Sequence, residues 1–450
     1  EVSYGSIGFG EKSSDDFLSL SCKWAPYIKG GGFRKWAGNF EYVVNWSNDG
    51  EEIKGFKDEK TGRVRSHNYN GEYGFKSGFT WTGIGIEFGV RKVPNGFMFD
   101  AKGPMGFSGN IDLETIAFLN TSVSKQVIKI LAPTLDFKIG HVLNMPFDET
   151  TASKLKENCK SAIEISELDW NSKELSWGFC RNPIITLCSG KGSMVDIYQR
   201  FKNTQVDRVK LLKDIEENNN KITVDGYGLS ESVSSQVNDK HITLFANPAY
   251  KYGVDKSDEE LSRLSLVDDI TDFISYSVGC MFGRYSLDRE GLILANQGDT
   301  LEEYLKQVPT QTFMPDDDNV IPLIDFDGDW FEDDITERFK QFLKVTFGEE
   351  SFAENLAFIE EALGSDGKPK DIKKFFLKDF YTDHVKRYKK RPIYWMFSSS
   401  KGSFNALIYM HRYRPDTVSV VLNDYLREFR TKLAAKKSSY EQVGISASAS

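Results

Sequence analysis

Up to about residue 110, hydrophobic positions come in short alternating runs such as Glu41-Tyr42-Val43-Val44-Asn45-Trp46 and Gly96-Phe97-Met98-Phe99-Asp100. More than half of the chain's 37 glycines fall in the same stretch. A period of two interrupted by glycine predicts short strands joined by turns. The rhythm then changes. Leu113, Ile116, Val123, Val127 and Leu131 share one face of a helix that begins at Asp112 and ends before Pro133. The run "PTLDFKIGHVLNMPF" reads as one more strand and loop, closing a mixed domain near residue 148. Helical spacing returns over 151–169. It returns again from Ser193 to Asn219, where Val195, Tyr198, Val209, Leu212 and Ile215 point to a core and the polar run Glu216 to Asn220 is expected to stop the helix. Further helices are predicted over 257–278, 334–346, 351–363 and 371–388, with few strand signals among them. A last helix carries Val418, Leu422, Tyr425, Phe429 and Leu433 behind a candidate N-cap, Asp416.

These patterns predict an α+β protein in three segments: a mixed α/β domain over 1–148, a helical spacer over 149–230, and a mainly helical C-terminal domain over 231–450. A chain of 450 residues with 40% hydrophobic content has enough apolar surface for two or three cores. It opens on Glu1 and its last helix runs into a short polar tail, so a segment of a longer protein is expected.

Composition narrows the chemistry. The five cysteines (Cys22, Cys159, Cys180, Cys188, Cys280) form no C-x-x-C pair and are odd in number, which argues against a disulfide framework and a thiolate zinc site and points to a reducing, cytoplasmic setting. His67, His141, His241, His384 and His411 are scattered, without H-E-x-x-H spacing, so no metal centre is expected. No apolar run approaches the ~20 residues that span a bilayer.

Several short motifs fall short of the chemistry they resemble. "GIGIEFG" (Gly83 to Gly89) places its last glycine one residue too late for a dinucleotide loop, and "SGKGS" and "SSKGS" lack the phosphate-loop frame. Asp316 to Glu337 holds ten carboxylates and no base. Within it Asp325, Asp327 and Asp329 imitate the start of a calcium loop, but the glycine and the closing glutamate are misplaced. A solvated acidic loop fits better than a magnesium-dependent nuclease site. "FANPAY" (Phe245 to Tyr250) is close to the Asn-Pro-Pro-aromatic turn with which amino-methyltransferases hold a flipped base, except that Ala249 replaces the second proline. The glycine-rich loop that would bind S-adenosylmethionine is also missing upstream. A plain turn is expected, and no cofactor is expected to bind this segment.

Two basic-aromatic stretches remain in a chain whose net charge is −9. In "KWAPYIKGGGFRKWAGN", Lys23, Lys29, Arg34 and Lys35 interleave with aromatics around three glycines, a composition suited to phosphate contacts or to an ordinary turn over core aromatics. The ribbon "KRYKKRPIYWMFSSSKGSFNALIYMHRYRP" (386–415) has eight basic residues and no acid. There Ile393, Trp395, Leu407 and Tyr409 read as core. The basic residues Lys386 to Arg391 read by composition as a solvated flank, while their crowding, with Lys401 in a serine-glycine loop, makes Lys389, Lys390, Arg391 and Lys401 candidates for phosphate contacts.

The long runs "KRPIYWMFSSSKGSFNALIYMHRY", "FISYSVGCMFGRYSLDREGLILANQG" and "DDDNVIPLIDFDGDWFEDDI" resemble the C-terminal region of PglX-type proteins, the adenine-specific DNA methyltransferases of BREX phage-exclusion systems. "YIKGGGFRKWAGNFEYVVNW", "GFTWTGIG" and "AFLNTSVSKQVIKILAPTLDFKIGHVLNMPF" resemble the target-recognition domain of the same family, shared in outline with Eco57I/TaqI-like methyltransferases. The resemblance implies that 1–148 recognises double-stranded DNA for a catalytic domain preceding Glu1, where S-adenosylmethionine would bind. Lys23, Lys29, Arg34 and Lys35 are then candidates for phosphate, and Thr80, Trp81 and Arg91 for base edges or stacking. The opposing expectation is a protein-interaction module, with 231–450 docking other phage-defence subunits through the acidic 316–337 stretch.

Overall fold

The computed structural model describes residues 2–66, 70–188, 190–326 and 330–448, with side chains through residue 442. Its class is α+β, 49% helical with small sheets. The chain divides into two compact units: an N-terminal unit of Tyr4–Phe179 with Lys202–Leu264, and a C-terminal unit of Cys180–Phe201 with Ser265–Ser450 and the first three residues. Sequence-contiguous domains were expected; the units are instead interleaved, because 202–264 packs with the strands of the N-terminal unit. Leu212, Ile242 and Leu244 share one core with Trp36, Trp81 and Phe118.

The N-terminal unit holds two three-stranded sheets. In the first, β1 (Trp24–Ile28) pairs antiparallel with β2 (Tyr42–Asn45) and parallel with β5 (Met98–Phe99). In the second, β3 (Gly78–Trp81) lies between β4 (Val90–Val93) and β6 (Met105–Gly106), antiparallel to both. The single helix expected from Asp112 is two helices, Asp112–Leu119 and Ser122–Leu131. Asn120 explains the break. Its side-chain amide pairs with both backbone groups of Val90, at 2.9 Å each, and Thr121 then turns extended and caps the second helix. The strand expected after Pro133 is absent; the segment makes one bridge, Ile84 to Asp136, and a short helix, Ile139–Leu143.

The helix Met194–Gly226 runs through the polar run expected to end it. Glu216, Asn219 and Asn220 are buried there rather than solvated. Asn220 accepts from the Ser122 amide (2.8 Å) and donates to the Ser235 carbonyl (3.0 Å), so burial leaves its amide satisfied.

The C-terminal unit contains the third sheet, with β9 (Phe404–Tyr409) between β7 (Val320–Ile324) and β8 (Tyr394–Ser398), all antiparallel. β7 lies inside the acidic stretch, with all five residues buried, and Asp316 is buried beside it. The solvated acidic loop is therefore corrected: a core strand divides the carboxylates. In the last helix, a π-helical turn at Val421–Leu426 rotates the face that regular spacing predicts. Val421, Tyr425 and Phe429 are buried, whereas Val418 and Leu422 are exposed. Asp416 makes no capping bond.

Candidate nucleic-acid interface

The glycine-rich basic loop after β1 folds inward. Arg34 is 1% exposed and donates to Asp169 at 2.8 Å, with its guanidinium 5.0 Å from the Trp170 ring and 4.5 Å from that of Phe245. Lys35 pairs with Glu216, whose other oxygen accepts from the Trp36 indole at 2.8 Å. Burial pulls the Lys35 ammonium below its ordinary pKa, and Glu216 opposes that shift. The glycines serve the same packing: Gly38 has φ +106°, and a Cβ there would lie 2.8 Å from Trp170 and 2.7 Å from Arg34.

The second set of candidates is buried as well. Thr80 and Arg91 face each other across β3 and β4. Thr80 donates to the Pro104 carbonyl (2.8 Å) and Trp81 to that of Phe137 (2.8 Å). Arg91 is 1% exposed; Nη1 reaches the Arg34 carbonyl at 3.3 Å, while Nε and Nη2 make no hydrogen bond. Desolvation lowers its pKa to about 10. The expected DNA contacts of Arg34, Lys35, Thr80, Trp81 and Arg91 are thus corrected, since their polar atoms point into a packed interior. Lys23 and Lys29, at the two ends of β1, are exposed; their ammonium groups lie over Trp24 (5.2 Å) and Tyr42 (5.5 Å).

"FANPAY" is a capped helix start. Asn247 accepts from the Ala249 amide and donates to the carbonyls of Asp239 and Ile242, both at 2.7 Å, so its side chain is fully engaged. Asp169 ties the preceding residues down by accepting from the amides of Phe245 (2.7 Å) and Ala246 (2.9 Å).

The 386–415 ribbon behaves differently. Lys389, Lys390, Arg391 and Lys401 are all exposed. Arg387 is held by Asp272 and Asp383, and Arg412 donates inward to the carbonyls of Asp316 (2.8 Å) and Asp317 (3.0 Å). Lys389 and Lys390 both adopt left-handed backbone, φ +52° and +65°, where the helix Tyr381–Arg387 turns into β8. The turn hangs on His384, whose Nε2 accepts from the amides of Ile393 and Tyr394 at 3.1 Å each. Burial keeps that imidazole neutral, with a pKa of about 3. Leu407 and Tyr409 are core as expected, but Trp395, also read as core, is 52% exposed on the edge strand β8.

Of the candidate nuclease carboxylates, Asp327 and Asp329 lie outside the described residues, as does His67; Asp325 is exposed beyond β7. A carboxylate group that sequence reading missed lies nearby. Asp316, Asp317 and Asp318 bring one oxygen each within 4.8 Å of one another. The Tyr425 hydroxyl sits 3.0 Å from Asp318 and 2.6 Å from Asp333. One phenolic proton serves only one of those contacts, and burial raises the pKa of both carboxyls. Sequence spacing offered no signal for it, because Tyr425 is brought in from 92 residues beyond Asp333.

Against this geometry, the comparisons are specific. The chain is 41% identical over 438 residues to adenine-specific methyltransferase PglX of Lacticaseibacillus casei (strain Zhang), covering 95% of this chain and 34% of that protein. It is 38% identical over 434 residues to adenine-specific methyltransferase BrxX of Escherichia coli O9:H4 (strain HS), covering 92% of this chain and 35% of that protein. The chain therefore spans about a third of the length of the curated relatives it matches. No family model matches it. Among the described residues, no helix is long and apolar enough to cross a membrane.

Proposed function

We propose that this chain is the DNA-recognition part of an adenine-specific DNA methyltransferase of the BREX phage-defence type. It holds double-stranded DNA while a catalytic domain outside it binds S-adenosylmethionine and methylates the adenine. The observation that carries this reading is the similarity at 38–41% identity across nearly the whole chain to two adenine-specific methyltransferases. The exposed cations Lys389, Lys390, Arg391 and Lys401 support it, with Lys23 and Lys29 as contacts in the N-terminal unit. In a chain of net charge −9, DNA is approached only where positive potential is local. Calorimetry with S-adenosylmethionine is expected to show no binding to this segment, and a clear isotherm overturns the placement of the cofactor outside it.

The test of DNA recognition is a salt titration of duplex binding. Changing Lys389, Lys390 and Arg391 together to alanine should flatten the slope of log K against log salt by about 0.9 for each phosphate the variant no longer neutralises. An unchanged slope removes the ribbon from the interface.

A second reading, a docking module for other defence subunits, rests on a different observation. Ile86, Ile130 and Leu143 are 84%, 79% and 79% exposed, and the Gly85 amide bonds the Leu135 carbonyl (2.9 Å), joining a further exposed aliphatic to Ile86. Ile86→Lys with Leu143→Lys would abolish co-purification with such a subunit and leave DNA affinity unchanged.

A further inference from the structure

A cavity of about 780 Å³ opens between the strands of the N-terminal unit, and neither reading above uses it. Its walls are aromatic. Tyr73, 40% exposed, lies 5.0 Å from Phe107 in a tilted pair, and Phe107 lies 6.0 Å from Phe99. Ser66 and Asn70 also line it, and a polar pair is built into the wall: the Tyr27 hydroxyl donates to Asp100 Oδ2 at 2.7 Å. The other Asp100 oxygen is occupied by the amides of Lys102 (2.7 Å) and Gly103 (3.2 Å). Tyr27 has thus committed its proton and keeps its lone pairs for an incoming N–H. Cations stand at the mouth. Lys102 and Arg65 line it and are exposed, Arg65 being paired with Asp58, and the Lys76 ammonium lies 5.0 Å over the Tyr73 ring.

Rings to stack on, an acceptor and a cationic rim are together the chemistry of a nucleobase attached to its phosphate. An apolar peptide would leave Lys102 unused, and a free anion would leave the rings unused. The rings are recessed in a cavity, so a base inside a duplex stack cannot reach them, whereas an unstacked one can. We propose that this cavity receives a single nucleobase unstacked from duplex DNA, with its backbone phosphate held by Lys102. The inference rests on the DNA-recognition reading and adds to it a second base-holding site, separate from any catalytic pocket.

The experiment measures binding of the 450-residue chain, by fluorescence anisotropy, to a perfect duplex, to the same duplex with one bulged thymine, and to an oligo(dT) single strand. The bulged duplex should bind about 10-fold tighter than the perfect one, because one base gains a stacking partner. Tyr73→Ala should erase that preference and leave perfect-duplex affinity unchanged, while Tyr73→Phe, which keeps the ring, should retain it. Lys102→Glu should weaken the bulged duplex more than the perfect one. Equal affinity for the two duplexes, or a preference that survives Tyr73→Ala, overturns the inference while DNA recognition stands. Absence of binding to any of the three probes overturns both. Tightest binding to oligo(dT), lost in Tyr73→Ala, keeps the base site and overturns the duplex as its source.

Discussion

Residues 23–39 and 386–415 have the same composition on paper, lysines and arginines threaded through aromatics and glycine, and the fold uses them in opposite ways. In the first, Arg34 and Lys35 are drawn into the interior by acids 135 and 181 residues away, and their neighbours stack around them. In the second, Lys389, Lys390, Arg391 and Lys401 stay at the surface, while Arg387, paired with Asp272, and Arg412, bonded to backbone carbonyls, tie the segment to the fold. The same composition can therefore fold inward or stay at the surface, and for the first loop distant carboxylates decide it. Burying a cation is tolerable when a well-placed anion and hydrogen bonds accompany it. Asp169 and Glu216 meet that condition for one loop.

The contrast is tested most strongly in the N-terminal unit. Asp169→Ala strands the Arg34 guanidinium and two backbone amides together, and Glu216→Ala strands Lys35 and the Trp36 indole. Removing one partner of a buried pair costs about 3–5 kcal/mol. Urea denaturation followed by tryptophan fluorescence should show losses of that order in each variant. A loss below about 1 kcal/mol, the range of a surface pair, would mean the first loop is no more buried than the second.

The next effect concerns how the ribbon is anchored. His384 has a folded pKa of about 3, set by burial and by the Arg387 and Arg284 charges, below the ordinary value of 6.5. A base whose pKa is depressed by folding contributes stability above its unfolded pKa and loses it as pH falls from about 6.5 toward 3. The slope is about 1.4 kcal/mol per pH unit for one proton. His411, with a pKa of about 4, acts in the same direction. Asp316, Asp318 and Asp333 act oppositely: their raised pKa values contribute stability at low pH that is lost as pH rises above the ordinary 3.8. The difference between the wild type and His384→Gln isolates the histidine, since glutamine can still accept from Ile393 and Tyr394. The variant's stability should depend on pH less steeply between about 4 and 6, and parallel profiles would show that His384 is not held neutral.

How far all this was legible in the sequence follows from range. Local signals came through: the α+β class, the main helices after residue 151, and the passage from a basic segment into a strand at Tyr394; at Asn247-Pro248 the plain turn expected is instead the capped start of a short helix. What failed needed distant partners. Nothing near Asn120 announces that its amide will pair with Val90, and nothing in Glu216 to Asn220 distinguishes a solvated helix end from a buried polar face. The π-helical turn at Val421–Leu426 moved a whole apolar stripe by inserting one residue into the helical period. The site candidates divided along the same line. Exposure of Lys389 to Arg391 could be read from crowding of like charges, whereas burial of Arg34, Lys35 and Arg91 depended on acids and rings far along the chain. The aromatic cavity was missed because Tyr27, Tyr73, Phe99 and Phe107 come from separate segments.

The smallest predicted effect separates backbone from charge in the ribbon. Lys389 and Lys390 hold left-handed φ values in succession, at a cost of roughly 1–2 kcal/mol for each residue bearing a Cβ. Glycine carries no such cost, though it brings more unfolded-state entropy. Lys390→Gly should therefore stabilise the protein by about 0.5–1 kcal/mol, while removing one cation from the candidate phosphate surface. If Lys390 contacts phosphate, the same variant should flatten the salt slope of duplex binding by about 0.9 even as its denaturation midpoint rises. Opposite movement of the two measurements would mean that the strained turn presents lysine for DNA while weakening the fold. A higher midpoint with an unchanged salt slope would place Lys390 outside the interface and leave Lys389, Arg391 and Lys401 to carry it.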